Sequence, residues 1–562
     1  MCGIFALLND TNIIDANFIE CAFDKGKCRG PEYSIMKNVS NNALFGFHRL
    51  AINGIDAVSN QPIELGEITL IANGEIYNYK ELYKMLNIKP ITNSDCEVII
   101  HCYKAFGIEY TLQLLDGVFA FALLDKTNLY VARDPYGVRP LYTCNGQIHV
   151  FASTMSMLQP LATMYNLPIK QFTPGSYQVY NCTQRVNPKW GLIKDSSYSQ
   201  ITFSQLGEPL HFVSDYRAIF SNIRDYLTQA VFKRCSTTER PIACLLSGGL
   251  DSSLIAALVC KYCRMNNLPP VETYSIGLEG SEDLKYAKQM ALFLNTRHTS
   301  VIMTKDEFVN AIPEVIYNIE SYDTTTVRAS IGNYLLAKFI SNNSEAKVIF
   351  SGEGADELTG GYLYMTQAPN AVEFDNECKR LLKNIHFFDV IRCDKSISSN
   401  GLEPRTPFLD RAFTQYYLSI PMVTRFEGGR HPLFRLYKYC EKYLLRAAFD
   451  PMFSNEVILP EAILWRTKEA FSDGISSYKD SAYEVLQSHI DTLPLSNINY
   501  HFNPPMTKEQ HYYRDLYESH FPNQGSAIPY FWMPRFVEAS DPSARTLDVY
   551  EMQKPELCER SL

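Results

Sequence analysis

Two short loops hold many of the residues whose types and spacing could do chemistry. The first, Ser247-Gly248-Gly249-Leu250-Asp251-Ser252-Ser253, follows the apolar run IACLLS and opens a helical pattern. Ser247, Gly248 and Gly249 let backbone N–H groups approach a polyphosphate, and a helix N-terminus adds favourable partial charge. Ser252 and Ser253 can donate further hydrogen bonds. They can also simply cap the helix after a tight Gly-Gly turn, which is the competing reading. As a bare carboxylate Asp251 would repel phosphates, so its place predicts Mg²⁺. No GxxxxGK[ST] occurs in the chain, so the lysine that usually grips β- and γ-phosphates is missing from the loop. That suits a site which holds the pyrophosphate end differently and leaves the α-phosphate open to attack. The second loop, Ser351-Gly352-Glu353-Gly354-Ala355-Asp356-Glu357, also ends a predicted strand. Its glycines permit close backbone approach. Glu353, Asp356 and Glu357 offer metal ligation or general-base work, against the plainer reading of a solvated acidic turn.

A third candidate stands at the beginning. MCGIFALLND reads either as an export signal or as a buried strand that presents Cys2. The export reading lacks a positive flank, its apolar run Ile4–Leu8 is too short, and Asn9-Asp10 ends it. The expectation is a cytoplasmic chain. Fifteen cysteines scattered over 562 residues fit reduced, mostly buried thiols better than a disulfide framework. Cys260 and Cys263 form a CxxC inside a helical run with no second cysteine pair at ligand spacing, so they read as helix neighbours. Cys558 lies one residue too far from the terminus for a prenylation box.

The elements that must position these residues follow two grammars. Up to about residue 205, short apolar runs (CGIFALL, ALFGFHRLAI, ITLIANGEIYN, VFAFALLD, NLYVARD, HVFAS) alternate with Gly, Asn, Asp and Pro turns, with a helical stretch at Glu97–Phe106. This predicts an α+β domain of two packed antiparallel sheets with helices. Val186–Phe212, polar and without period, reads as a linker. From about residue 213, strands (IACLLS, TYSIGL, HTSVIM, KVIFS) alternate with helices (SSLIAALVCKY, EDLKYAKQMALFLN), which predicts an α/β domain around a parallel sheet. Such a sheet binds ligands at the carboxyl ends of its strands, so the two glycine loops should lie side by side. Beyond Asn376 the pattern turns mainly helical, with turns at PFLD and FSDG. A net charge of −9 without a basic block argues against nucleic acid or an anionic membrane as partner, and no stretch reaches the ~20 apolar residues of a membrane span.

SGGLDSS is similar to the pyrophosphate-loop signature of the ATP pyrophosphatase superfamily. With MCGIF, CRGPE, HRLAI, NGEIYN, ARDPYGVRPLY, SYDTTTVRAS, SGEGADEL, PFLD, KEAFSDG and DPSARTL, in that order, the chain resembles the glutamine-hydrolysing asparagine synthetases over nearly its whole length. MCGIF alone is shared by many class II glutamine amidotransferases; its combination with SGGLDSS and YDTTTVRAS is far more specific. The resemblance implies an Ntn-hydrolase-like glutaminase domain over 1–205, an ATP pyrophosphatase-like synthetase domain over 213–540, and a tail over 541–562. It implies glutamine, aspartate and ATP with Mg²⁺ as ligands, and a homodimer.

It also implies roles. Removal of Met1 would leave Cys2 as N-terminal nucleophile, its own α-amine (pKa roughly 7.7–8.0) taking the thiol proton. Asn73 and Gly74 match an oxyanion hole. Arg49 matches the clamp on the glutamine α-carboxylate, and Glu75 and Asp95 match the acids that hold its α-ammonium. Read plainly, Asn73-Gly74 is a hairpin turn, Arg49 a surface cation and Asp95 a helix cap. In the second domain Leu246, Ser247, Gly248, Gly249, Asp251, Ser252, Ile276, Gly277, Ser351 and Gly352 match the nucleotide site, with Asp251 and Asp356 as metal ligands. Glu353 matches a residue placed to take a proton from attacking ammonia. Arg328 and Lys468 match cations of the substrate and phosphate region. The implied reaction runs from aspartate and ATP through β-aspartyl-AMP, with ammonia carried internally between the domains.

The chain departs from the family pattern at Cys28 (usually His), Glu32 (usually Asp), Ala355 (usually Ser) and Arg430–Cys440. Two other readings compete. A β-lactam-forming synthetase would share both modules but typically lacks the glutaminase nucleophile, and an idle chain kept for assembly would not need both motif sets intact.

Overall fold

A computed structural model of the chain describes residues 1–10, 14–182, 189–199, 216–427, 441–466, 482–539 and 541–543. Two antiparallel six-stranded sheets form the first half. One contains β1 (Gly3–Leu8), β2 (Tyr33–Ser40), β3 (Ala43–Arg49), β8 (Tyr142–Asn145), β9 (His149–Ala152) and β10 (Lys170–Gln171), in the order β10-β8-β9-β1-β3-β2. The other contains β4 (Ile63–Leu65), β5 (Ile68–Ile76), β6 (Gly117–Asp125), β7 (Asn128–Arg133), β11 (Ser176–Cys182) and β12 (Trp190–Ser197), in the order β12-β11-β7-β6-β5-β4.

The period-2 alternation of β1 shows how the layers stack. Ile4, Ala6 and Leu8 point between the sheets, where they meet Phe45, Phe47, Ile71, Ala120, Ala122 and Trp190. Phe5 and Leu7 point the other way, onto Phe23 of the helix Ala16–Asp24 and Leu158 and Leu161 of the helix Met155–Tyr165. The outer face of the second sheet is covered by the helices Tyr79–Leu86 and Val98–Leu114 through Leu82, Val98 and Ile99. The expected helix at Glu97–Phe106 is therefore present; it continues past a break at Gly107, whose φ of 75° no helical residue adopts. β1 is buried along its full length because both of its faces are covered.

The second half holds a five-stranded sheet in the order β15-β14-β13-β16-β17, parallel throughout. Its strands are β13 (Ile242–Leu245), β14 (Glu272–Gly277), β15 (Arg297–Ile302), β16 (Val348–Phe350) and β17 (Glu403–Arg405). The helices Leu250–Met265 and Glu282–Leu294 are the crossovers expected from the sequence. Cys260 and Cys263 are buried neighbours on the first of them, and neither forms a disulfide.

One expectation is overturned and one gains a strand. The part of the supposed linker that the structure describes contains β12, which pairs with β11 from Ser176↔Ser197 to Cys182↔Trp190. An edge strand with one partner and one wet face can be polar and lack an apolar period, which is why it read as a connection. The region beyond Asn376 is indeed mainly helical, but it also supplies β17, which extends the sheet beside β16. PFLD forms a short 3₁₀ turn at Pro407–Leu409, whereas FSDG lies outside the described residues.

Apolar packing joins the halves. Met1, Leu50, Ile52, Tyr77, Val118, Tyr136 and Val138 from the first pack in the same cluster as Ile219, Leu246, Leu250, Val348, Ala355 and Phe408 from the second.

Candidate active sites

Cys2 stands one residue before β1, and its surroundings come from four separate segments. Its backbone N–H donates to the Asn73 side-chain oxygen at 3.0 Å. Its carbonyl accepts from Arg29 Nε at 3.1 Å, and its Sγ lies 3.7 Å from the Leu50 carbonyl. Burial pushes the thiol pKa up, and the nearby α-ammonium of Met1 pulls it down. Met1 is itself buried, its nitrogen 3.6 Å from Glu403 Oε2.

Asn73 and Gly74 lie within β5, opposite Ala120 and Phe119, and so are not a hairpin turn. Asn73 is fully buried, and its Nδ2 has no hydrogen-bond partner among the described residues. Gly74 is required by close approach: a Cβ there would meet the Val118 carbonyl oxygen at 2.5 Å. Arg49, at the end of β3, is buried as well and is no surface cation. Its guanidinium donates to Asp56 O at 2.8 Å, to Asn60 Oδ1 at 2.6 Å and to Gly54 O, strapping the loop at 53–60.

Glu75 accepts from Asn53 Nδ2 at 2.6 Å and lies 3.3 Å from Arg405 Nη2 of the other half. Asp95 accepts from the Ile76 N–H at 2.6 Å, while the cap of its own short turn is Ser94. Burial pushes Asp95 up to about 6, against the Ile76 bond, and pushes Glu75 well above the usual carboxylate range, with Asp95 and Glu403 adding to it.

The second candidate lies at the carboxyl ends of β13, β14 and β16. Leu246, Ser247, Gly249, Asp251, Ser252, Ile276, Ser351, Gly352, Glu353 and Asp356 line one cleft. The two glycine loops touch: a Cβ on Gly352 would meet Ser252 N at 2.8 Å. Gly249 precedes the helix Leu250–Met265 with no side chain capping it, leaving first-turn N–H groups for an anion. Ser247 and Ser252 hydroxyls hydrogen-bond at 2.9 Å, so Ser252 braces the loop. Gly248 and Gly277 are not in the lining. Gly248 has a φ of 77°, and a Cβ on it would strike the Ala287 nitrogen at 2.5 Å; one on Gly277 would strike Ser281 Oγ at 2.4 Å. Ser253 is buried beneath the loop.

Asp251 and Asp356 converge on one cation, Lys442, whose Nζ is 2.5 Å from the first and 2.6 Å from the second. Glu353 pairs with Arg392 at 2.6 Å, and Arg392 with Asp389 at 2.9 Å. Burial raises the Glu353 pKa, and Arg392 opposes the rise. Glu357 turns away to bond the Tyr362 hydroxyl.

Arg328 sits on the helix Thr324–Asn343, which also supplies Thr325 and Asn333 to the cleft. Its guanidinium points elsewhere, to Glu509 at 2.6 Å and Asp541 at 2.8 Å, and it is not in the lining. Lys468 lies outside the described residues.

Sequence reasoning missed Lys442, Arg392, Asp389, Asp283 and Arg466 in this cleft, and Asn53, Arg29 and Arg405 in the first site. Lys442 lies in the run EKYLLR, directly after the departing segment Arg430–Cys440. Among the departures, Glu32 accepts from the Ala51 N–H and from Arg240 at 2.8 Å each, tying its loop to the second half. Helix Asp389–Ser398 reaches both sites: Asp389 and Arg392 line the cleft, while Asp394 and Ser398 accept from Arg29 at 2.8 and 2.7 Å.

Comparison with known proteins finds two family models. One, described as asparagine synthase, matches residues 222–375 and 366–532; the other, a glutamine amidotransferase domain, matches residues 1–185. Asparagine synthetase [glutamine-hydrolyzing] of Gallus gallus is 42% identical over 581 residues, covering 98% of this chain and 99% of the relative. The proteins of the same description from Cricetulus griseus and Homo sapiens are 40% and 39% identical at the same coverage.

Proposed function

Since the chain belongs to the glutamine-hydrolysing asparagine synthetase family, we propose how its two sites divide that family's reaction. The chain is an enzyme that makes asparagine from aspartate, with glutamine as nitrogen donor and ATP as co-substrate.

In the first site Cys2 is the nucleophile once Met1 is gone. Its freed α-amine takes the thiol proton, and the thiolate adds to the glutamine side-chain carbonyl. The oxyanion takes hydrogen bonds from Asn73 Nδ2 and the Gly74 N–H, ammonia leaves with the returned proton, and water then releases glutamate from the thioester. The buried Nδ2 with no partner among the described residues supports this reading. Glu75 and Asp95 face the substrate ammonium. Arg49 clamps its carboxylate, and the loop that it straps holds the guanidinium in place.

In the second site an aspartate β-carboxylate oxygen attacks the α-phosphorus of ATP, giving β-aspartyl-AMP and pyrophosphate. Ammonia then adds to the acyl carbon, Glu353 takes its proton, and AMP leaves. Arg328 acts from behind, holding the helix that presents Thr325 and Asn333, and Lys468 completes the cation set. Two carboxylates converging on one cation position, together with phosphate oxygens, form the all-oxygen set that Mg²⁺ takes, so Asp251 and Asp356 would hold it. When bound, it would neutralise phosphate charge. Lys442, in the turn before the helix Tyr443–Phe449, supplies the lysine that the loop lacks.

Ammonia moves between the sites inside the protein, since in neutral water it would become ammonium and lose its nucleophilicity. The enzyme uses Mg²⁺, acts as a homodimer in the cytoplasm, and divides into units at 1–205, 213–540 and 541–562. Among the described residues no helix is long and apolar enough to cross a membrane.

The observation that carries the reading is the pair of glycine loops meeting beside Asp251, Asp356 and Glu353. Aspartate labelled with ¹⁸O in its β-carboxylate tests it: one labelled oxygen should appear in AMP for each asparagine formed. Label-free AMP would contradict it.

A further inference from the structure

Arg405 belongs to the parallel sheet, at the end of edge strand β17, yet its side chain serves the other half of the molecule. It is buried, and its Nη2 lies 3.3 Å from Glu75 Oε2. Nε bonds Glu403 at 2.9 Å and Nη2 the Thr237 carbonyl at 2.9 Å, so the guanidinium is fixed from both sides. Among the described residues it is the only cation within ion-pair distance of Glu75. The same residue's carbonyl accepts from the Ser351 N–H at 2.9 Å, where the acidic glycine loop begins.

We propose that Arg405 is a positioning residue for the glutamine site: the synthetase sheet supplies the cation that keeps Glu75 aimed at the glutamine ammonium. The inference rests on the assignment of Glu75 to the substrate ammonium.

The electrostatics require such a partner. Glu75 is buried beside two other buried carboxyls, Asp95 and Glu403, and both raise its proton affinity. A cation beside a carboxyl in that setting lowers the cost of its charged form, the form that holds an ammonium best. Arg139 and Arg405 are the cations that oppose the rise at Glu75, and Arg405 is the nearer in effect. Asn53 adds direction, since its Nδ2 bridges Glu75 at 2.6 Å and the Thr237 carbonyl at 3.1 Å. Glutamine recognition is thereby completed by residues that the amidotransferase domain does not itself contain.

The test uses full-length Arg405→Met and Arg405→Lys, with glutamate release and ammonium-dependent asparagine formation measured on each. In Arg405→Met the KM for glutamine should rise about tenfold or more with kcat within about threefold, because a partner that orients binding is lost and the nucleophile is not. Arg405→Lys, which keeps the charge, should recover part of the KM. The KM values for aspartate and ATP with ammonium should stay within about twofold of the parent, as expected of separate sites. An unchanged glutamine KM in either folded variant, or a fall in kcat alone, overturns the proposal; if Arg405→Met does not fold, the lysine variant decides by the same criterion. Parent enzyme that makes asparagine from glutamine while both variants match it defeats this inference and leaves the proposed function standing. Parent enzyme that releases no glutamate defeats both.

Discussion

The Cys2 backbone nitrogen and the Asn73 side-chain oxygen are joined by a 3.0 Å hydrogen bond. An N–H can only meet the oxygen of an amide, so this bond fixes which way the Asn73 amide faces. Nδ2 is then turned away from Cys2 N and is buried without a partner among the described residues. A donor left in that state costs stability unless something charged arrives to accept from it.

Asn73→Ala should therefore lower glutaminase kcat by about 10²–10³-fold with little change in KM. Ammonium-dependent asparagine formation should not change. Steady-state glutamate release, compared with asparagine formation from ammonium, reads both.

The Asp95 carboxyl titrates near 6 instead of 3.8, chiefly through burial. It is neutral below that pH and charged above it, so the KM for glutamine should fall as pH rises through about 6. The stability effect runs the other way. Between about 4 and 6 the folded chain binds the extra proton, so stability falls as pH rises across that window and is level above it. Asp95→Asn keeps an acceptor for the Ile76 N–H. It should melt higher than the parent above pH 6, match it near pH 4, and bind glutamine poorly, all readable from melting curves and KM.

Asp251→Asn removes one of the two carboxylates that converge on Lys442. Pyrophosphate release should fall by at least about a hundredfold, and half-saturation by Mg²⁺ should shift to higher concentration. Glutamate release from glutamine should persist. A Mg²⁺ titration of pyrophosphate release separates this from a general loss of folding.

Arg29 and Asp394 form an ion pair with both side chains only 2% exposed. Among the described residues, Arg29→Met leaves Ser398 without that donor and Asp394 with only Arg139, 3.7 Å away, as its cation, at a cost of about 1.5–3 kcal/mol. The first transition in a denaturant titration should move accordingly. Glutaminase activity should fall with it, because Arg29 also holds the Cys2 carbonyl.

Local pattern made much of this molecule legible. β1, β5 and β6 announced themselves as apolar runs between turns, and the strand–glycine–acid–helix order of SGGLDSS placed the cleft at a sheet edge. What stayed hidden depends on contacts distant in sequence. Glu403-Pro404-Arg405 looks nothing like a core strand, because its charges are neutralised by Arg139 and Glu75 from the other half. Trp190–Ser197 looks like a linker because it has one neighbour and one wet face. Lys442 meets Asp251 across 191 positions, a pairing that no periodicity encodes. Arg328 carried the right motif, yet its partners Glu509 and Asp541 lie at the far end of the chain and turn it from the cleft.

The account stands on two separate sites in one chain, one releasing nitrogen and the other consuming it. Cys2→Ala tests this most directly, assayed for asparagine with aspartate and ATP-Mg²⁺ and either glutamine or ammonium. The expected result is loss of glutamine-dependent synthesis with ammonium-dependent synthesis retained. Loss of both activities in a folded variant, or continued use of glutamine, would contradict it.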